Sequence, residues 1–216
     1  MVTFARRMPR LLVAWVGLVL ITTLAVAIDL RHGGELYARL WLAPDRVWRG
    51  EVWRLVTWIF VEGGPESLIF GCLAIYAFGG DLLEVWGERR FVRRLGGIAL
   101  GTGVGTALVA PLVPGAAYHG YFGAGALGDA LLIAWGLAFP TRQVRIWMVL
   151  PIDGRTLAIG LALVTGAGVL FYGLAPMLPW VIAGALAFAS AGRASRRRFR
   201  VVRGERPPPS GPYAPN

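Results

Sequence analysis

Lysine is absent from this 216-residue chain, whose 22 basic residues are all arginine. Coding bias accounts for that choice, and no mechanism attaches to it. Cysteine is reduced to Cys72, which excludes an internal disulfide and any cysteine-based metal site. Charge is scarce too: 16% of residues are charged, against about 25% in soluble domains. With 56% of residues apolar, the chain needs a solvent other than water. A net charge of +10 first suggests a polyanionic partner. RNP, zinc-finger and basic-zipper patterns are all missing, however, and the arginines sit in short clusters between apolar runs. The charge therefore reads as membrane topology, with no nucleic acid among the expected partners. No metal and no cofactor are expected.

What is present is a series of apolar segments of membrane-crossing length, about 20 residues each. Spans are expected at about 11–28, 54–80, 95–113, 121–139, 156–173 and 176–191. The second is short in its clearly apolar part, Ser67–Gly80, and begins in the preceding run VWRLVTWIFVEGG. Proline and glycine punctuate the gaps, as in PLVPG, FPTRQ, LPIDGR and GLAP. Arginine placement orients the set. Arg6, Arg7 and Arg10 precede span one, and Arg89, Arg90, Arg93 and Arg94 lie between spans two and three. Arg142, Arg145 and Arg155 lie between four and five, and seven arginines follow span six. Both termini are thus expected on the cytoplasmic side of a multi-pass protein, in a bacterial inner membrane. Residues 29–52 fit less well, since an outer loop there holds four arginines balanced by four acids. A cleaved signal peptide is the rival reading of span one, but its apolar run of 18 residues exceeds the roughly 7–15 of such a segment. The membrane domain is expected over 1–200, followed by an Arg/Pro-rich disordered cytoplasmic tail over 201–216.

The stretch from Gly50 to Phe91, together with FPTRQVRIWMVLPIDGRTLAIG, resembles the rhomboid family of intramembrane serine proteases. The residues that carry the likeness include Trp53, Arg54, Thr57, Phe60, Gly63, Gly64, Phe70 and Phe78. Gly79, Glu84, Gly87, Arg90 and Phe91 continue it in order and spacing, and the whole resemblance covers about residues 10–192. It implies an all-α membrane protein: a six-transmembrane-helix rhomboid-like bundle with an embedded first external loop and a cavity open to the outside.

The departures from that pattern govern function. The implied nucleophile position is Ala124 and the implied base position is Met177. The implied oxyanion-side positions are Glu62, Ser67 and Gly71. No serine occurs between Ser67 and Ser190, and the two histidines, His32 and His119, have no serine or threonine neighbour in sequence. Acyl transfer needs a nucleophile, a base in reach and oxyanion donors, and Ala124 and Met177 supply none of these. The resemblance therefore implies a pseudoprotease lacking the Ser-His dyad, which binds or escorts transmembrane segments. The alternatives are an active protease built on Ser67 or an unrecognised arrangement, an Asp129-dependent transport protein, and a structural subunit. The lipid bilayer and transmembrane client proteins are the expected partners. The oligomeric state is not expressed in the sequence.

The stretch HGYFGAGALGDALLIAWGLAFP raises the remaining question. Small residues recur every four positions at Gly120, Ala124 and Gly128, at Gly97, Gly101 and Gly105, and at Ala183, Ala187 and Ala191, with Gly184 beside the last set. Such stripes let helices approach closely in lipid. A dinucleotide-binding reading of GTGVGTAL fails on glycine spacing and on the lack of a surrounding βαβ unit. Asp129 carries the strongest functional claim, because an ionisable group in a span is costly and faces the bundle interior or a cavity. It is read as a structural acid, a partner for a polar feature of another helix, or part of an ion path. His119, at the mouth of the same span, joins it as a candidate cavity group. Glu62 and Glu66, beside GGP, are expected to be solvated at the outer surface. Trp48, Trp53 and Trp58 are expected to anchor the first loop at the interface.

Overall fold

The computed structural model describes residues 9–146 and 150–202. It is an all-α bundle with one small hairpin. Helix α1, Arg10–Asp29, is predominantly apolar between its charged ends. Three short helices follow: α2 Glu35–Leu40, α3 Pro44–Trp48 and α4 Arg54–Thr57. Next come α5 Pro65–Ala74, a π-helical turn Ile75–Gly79, and α6 Gly80–Trp86. Helices α7 Glu88–Val109, α8 Ala124–Ala138, α9 Gly154–Tyr172 and α10 Leu174–Val202 complete the bundle.

Among the described residues, four helical stretches are long and apolar enough to cross a membrane: Arg10–His32, Ser67–Trp86, Glu88–Leu112 and Gly154–Tyr172. Two shorter apolar helices accompany them, Gly125–Ala138 and Leu174–Ser190. The second span thus starts at Ser67 and not at 54. Residues 54–60 fold instead as α4 and a 3-10 turn, Trp58–Phe60, ahead of a break at Val61–Gly64. Gly87, at φ 75, ends α6 and lets α7 begin one residue later, a left-handed geometry that favours glycine.

The connection after α8, expected as a loop, contains an antiparallel pair, β1 Gln143–Ile146 and β2 Leu150–Asp153. It runs directly into α9, whose first turn is capped by Asp153 accepting from the Thr156 N–H at 3.2 Å. The Thr156 side chain, with its backbone N–H adding less, holds the Asp153 carboxyl below the ordinary carboxylate range. The tail expected over 201–216 lies, beyond Val202, outside the described residues, as do Arg6 and Arg7.

Helix α8 is the central element, packed by α5, α7, α9 and α10. Its residues Ala126, Leu127, Ala130, Leu131, Ala134 and Trp135 are buried. The outer faces of α1 and α9 are the converse: Ile21, Leu163, Leu170 and Phe171 all stand exposed. An apolar exterior around a small-residue interior suits hydrocarbon rather than water. Close approach is built from glycine. A Cβ on Gly136 would stand 2.2 Å from the Gly154 carbonyl oxygen, so α8 and α9 touch backbone to backbone.

Candidate functional site

The region where the chain approaches α8 is assembled from three segments. Leu42 and Tyr121 exchange backbone hydrogen bonds of 3.0 and 2.9 Å, tying the end of α2 to the approach. The Gly123 N–H donates to the Val61 carbonyl at 3.3 Å, which brings in the break at Val61–Gly64. A Cβ on Gly123 would lie 2.7 Å from both the Ile59 Cα and the Trp58 carbonyl oxygen, so only glycine fits there. Phe122 stacks on Tyr37 with centroids 5.3 Å apart, and Gly63 lies against its ring.

Arg54 fastens this end. It is 3% exposed and donates to the Ala38 carbonyl at 2.7 Å, the Trp41 carbonyl at 2.9 Å and, through Nε, to Glu51 at 2.8 Å. Thr57 adds a bond to the Leu40 carbonyl at 2.9 Å. A buried charge tolerates this position because every face of the fork meets an acceptor.

Glu62 departs from the sequence expectation of a solvated acid. It is 5% exposed, and its Oε1 has no hydrogen-bond partner. It lies in the break ahead of the span Ser67–Trp86. Burial raises its carboxyl to about 7. The physical reason for the error is local: the segment 121–123 covers this loop, and one-dimensional polarity cannot register that cover. Glu66 is at the start of α5, and its side chain falls outside the described residues.

Asp129 is half-buried and makes no hydrogen bond or ion pair with the described residues. On α8 it shares a face with Gly125 and Gly136, spaced by i−4 and i+7. A Cβ on Gly125 would stand 3.5 Å from the Trp180 ring, and Gly136 meets α9 at Gly154 and Ala158, so this face turns toward α9 and the start of α10. His119 stands apart from it. That ring is exposed and lies 5.0 Å from the Tyr121 ring in the approach segment, ahead of α8.

The remaining candidates are dispersed. The Ser67 hydroxyl donates to the Gly64 carbonyl at 2.9 Å. His32 Nδ1 is 2.9 Å from the Ile28 carbonyl, on an exposed turn. Met177 Sδ would meet a Cβ on Gly168 at 3.0 Å, which places it against α9. Ala124 opens α8, and its side chain is outside the described residues. Gly71 and Gly128 bring α5 and α8 together, with 4.0 Å from a Gly128 Cβ to the Gly71 Cα. Gly101 faces Leu186 and Gly105 faces Ile182, both on α10, while Gly184 faces Ile133 on α8. The Cβ direction of Gly97 is open, and Gly120 lies in the approach segment against the Trp41 ring. Arg54 as the fastener of the first loop was missed as a site residue; its pairing with Glu51 at i−3 was the available signal.

Apolar helices of spanning length around a glycine-lined interior define a multi-pass, all-α integral membrane protein. The chain belongs to the family described as Eukaryotic integral membrane protein (DUF1751), which it matches over residues 12–187. No curated protein matches it. That membership replaces the assignment to the rhomboid proteases. The match spans nearly the whole region that carried the likeness, and the family it names is a different one. Short motifs such as Trp-Arg and Gly-Gly mark helix starts and turns that a membrane bundle needs for packing alone, so they overstate kinship. The roles carried over to Ala124, Met177, Glu62, Ser67 and Gly71 lose their basis with it. The family description is also eukaryotic, so placement in a bacterial inner membrane is not supported.

Proposed function

We propose that this protein is a non-catalytic membrane component that binds transmembrane segments of other proteins beside the start of α8. The observation that carries the proposal is Glu62 Oε1, a buried acceptor with no donor of its own. A buried polar atom without a partner costs about 1–3 kcal/mol, which a donor from a guest segment would recover. Hydroxyl, amide or unwound backbone N–H groups on a guest helix fit that role, since polar contacts associate helices in lipid. Supporting it, the Ser67 hydroxyl donates to the Gly64 carbonyl, His32 lies against the Ile28 carbonyl and His119 lies against the Tyr121 ring.

The test is site-specific photo-crosslinking from position 67, next to Glu62, in native membranes, with position 170 on the lipid-exposed face of α9 as control. Discrete membrane proteins captured from 67 and lost in Glu62→Leu are expected. Lipid alone, or the same products from both positions, would overturn the proposal. Asp129 favours a second reading, an ion or proton path, because it is an acid on an apolar helix with no hydrogen bond or ion pair among the described residues. It requires flux in reconstituted vesicles that Asp129→Asn abolishes.

A further inference from the structure

Leu12 packs on Gly79, the Trp135 indole donates to Asp81, and Gly154 meets Gly136. The start of α1, the α6–α7 turn, the end of α8 and the start of α9 therefore form one end of the bundle. We propose that this end is a binding surface for anionic phospholipid headgroups, centred on Arg89, Arg90 and Arg93.

The four arginines 89, 90, 93 and 94 fall within the first two turns of α7 at i, i+3 and i+4 spacings, so they form one patch. Arg89, Arg90 and Arg93 are exposed, and none has an ion pair with the described residues. Arg94 lies over the Trp86 ring, 4.4 Å from its centroid, a cation–π contact that fixes the flank of the patch without neutralising it. The acids of this end leave the charge in place. Asp81 is engaged by Arg142 at 3.0 Å and by the Trp135 indole N–H at 3.0 Å. Asp153 caps α9. Glu84 and Glu88 flank the turn, and exposed Arg10 and Arg155 offset them in number.

Position selects the occupant. The apolar stretch Glu88–Leu112 begins inside the patch, so a bilayer around that helix puts the guanidinium groups at headgroup level. Guanidinium pairs two N–H donors with a phosphate or carboxylate in one plane. Anionic lipid is attracted by about fivefold per arginine near the surface. This inference stands independently of the guest-helix proposal, which concerns the opposite end.

The experiment reconstitutes the full chain in phosphatidylcholine vesicles containing a minor fraction of phosphatidylserine, extracts it in mild detergent and measures the co-purifying lipid by mass spectrometry. Wild type and an Arg46→Gln/Arg49→Gln control are expected to retain phosphatidylserine above its share in the vesicle. The Arg89→Gln/Arg90→Gln/Arg93→Gln variant is expected to lose that enrichment by about tenfold or more, less than the full product because salt screens exposed charge. Should the triple variant lose helicity by circular dichroism, Arg90→Gln alone carries the test with a fall of about fivefold. Equal enrichment in the triple variant, or no enrichment in wild type, would overturn the inference. So would saturable binding of inorganic phosphate to the detergent-solubilised chain with the same arginine dependence and no lipid enrichment.

Discussion

The two ends of the bundle handle charge in opposite ways. At the end made by α2, α3 and α4, acids and arginines are matched: Arg39 with Glu35 at 3.4 Å, Arg46 with Glu51 at 3.6 Å, Arg49 with Asp45 at 3.7 Å, and Arg54 with Glu51. At the α6–α7 end, three exposed arginines have no ion pair among the described residues, and glycine-mediated backbone contact brings α8 and α9 together. One end pairs its arginines with acids throughout, while the other joins the Arg142–Asp81 pair to exposed arginines that have no ion pair among the described residues. The same residue type is therefore structural in one place and available to a ligand in the other.

The largest expected break in that contrast is Arg54→Ala. It leaves the Ala38 and Trp41 carbonyls and the Glu51 carboxylate without their shared donor. Removing one side of a buried charge arrangement costs roughly 3–5 kcal/mol. Thermal unfolding in detergent should show a large loss of stability. Arg90→Ala should shift it by less than about 0.5 kcal/mol. Equal effects would erase the distinction between the two ends.

Glu62→Gln sharpens the paired end. The folded carboxyl, raised from 4.5 to about 7, binds its proton more tightly than the unfolded one. Stability from Glu62 is therefore intact below about 4.5 and falls as pH rises through about 7, where the native protein must bury an ionised group. Glutamine removes that burden, with a gain on the order of 3 kcal/mol at pH 8 and almost none at pH 4. A pH-independent difference between wild type and variant would show that Glu62 is not desolvated in the fold.

Gly136→Ala addresses the opposite end. Its new methyl would stand 2.2 Å from the Gly154 carbonyl oxygen, so α8 and α9 must separate. Overpacking of this kind costs about 1–3 kcal/mol. A crosslink between cysteines placed on α8 and α9 should form more slowly in the variant. An unchanged rate and stability would mean that the helices part at no cost.

The helical class and the multi-pass character were legible because apolar length is a one-dimensional property, and the helices at 10–29, 88–109 and 154–172 follow it closely. The start of the second span was not: Trp53–Phe60 is apolar enough to extend it, yet Arg54 gathers the carbonyls of α2 and holds the segment in a separate turn. The hairpin at 143–153 escaped because it holds only four residues per strand. Glu62 was misplaced because its cover comes from Phe122 and Gly123, sixty residues along the chain. Arg94 was readable as one of the orienting arginines between spans two and three, but its contact with Trp86 needed the positive-φ turn at Gly87, which spacing alone does not specify.

The smallest effect belongs to the exposed pairs. Arg49 lies 3.7 Å from Asp45, with its side chain 65% exposed, so solvent and salt screen the attraction. Arg49→Gln should change stability by about 0.5 kcal/mol or less, and the difference should vanish in high salt. Lipid retention in the same variant should stay at the wild-type level, because the pair lies at the end where charge is already matched. If Arg49→Gln removed bound anionic lipid as strongly as the α7 variants do, the lipid would be responding to net charge rather than to place. The two ends would then differ only in how many arginines they hold, and the contrast between matched and unmatched charge would have no functional content.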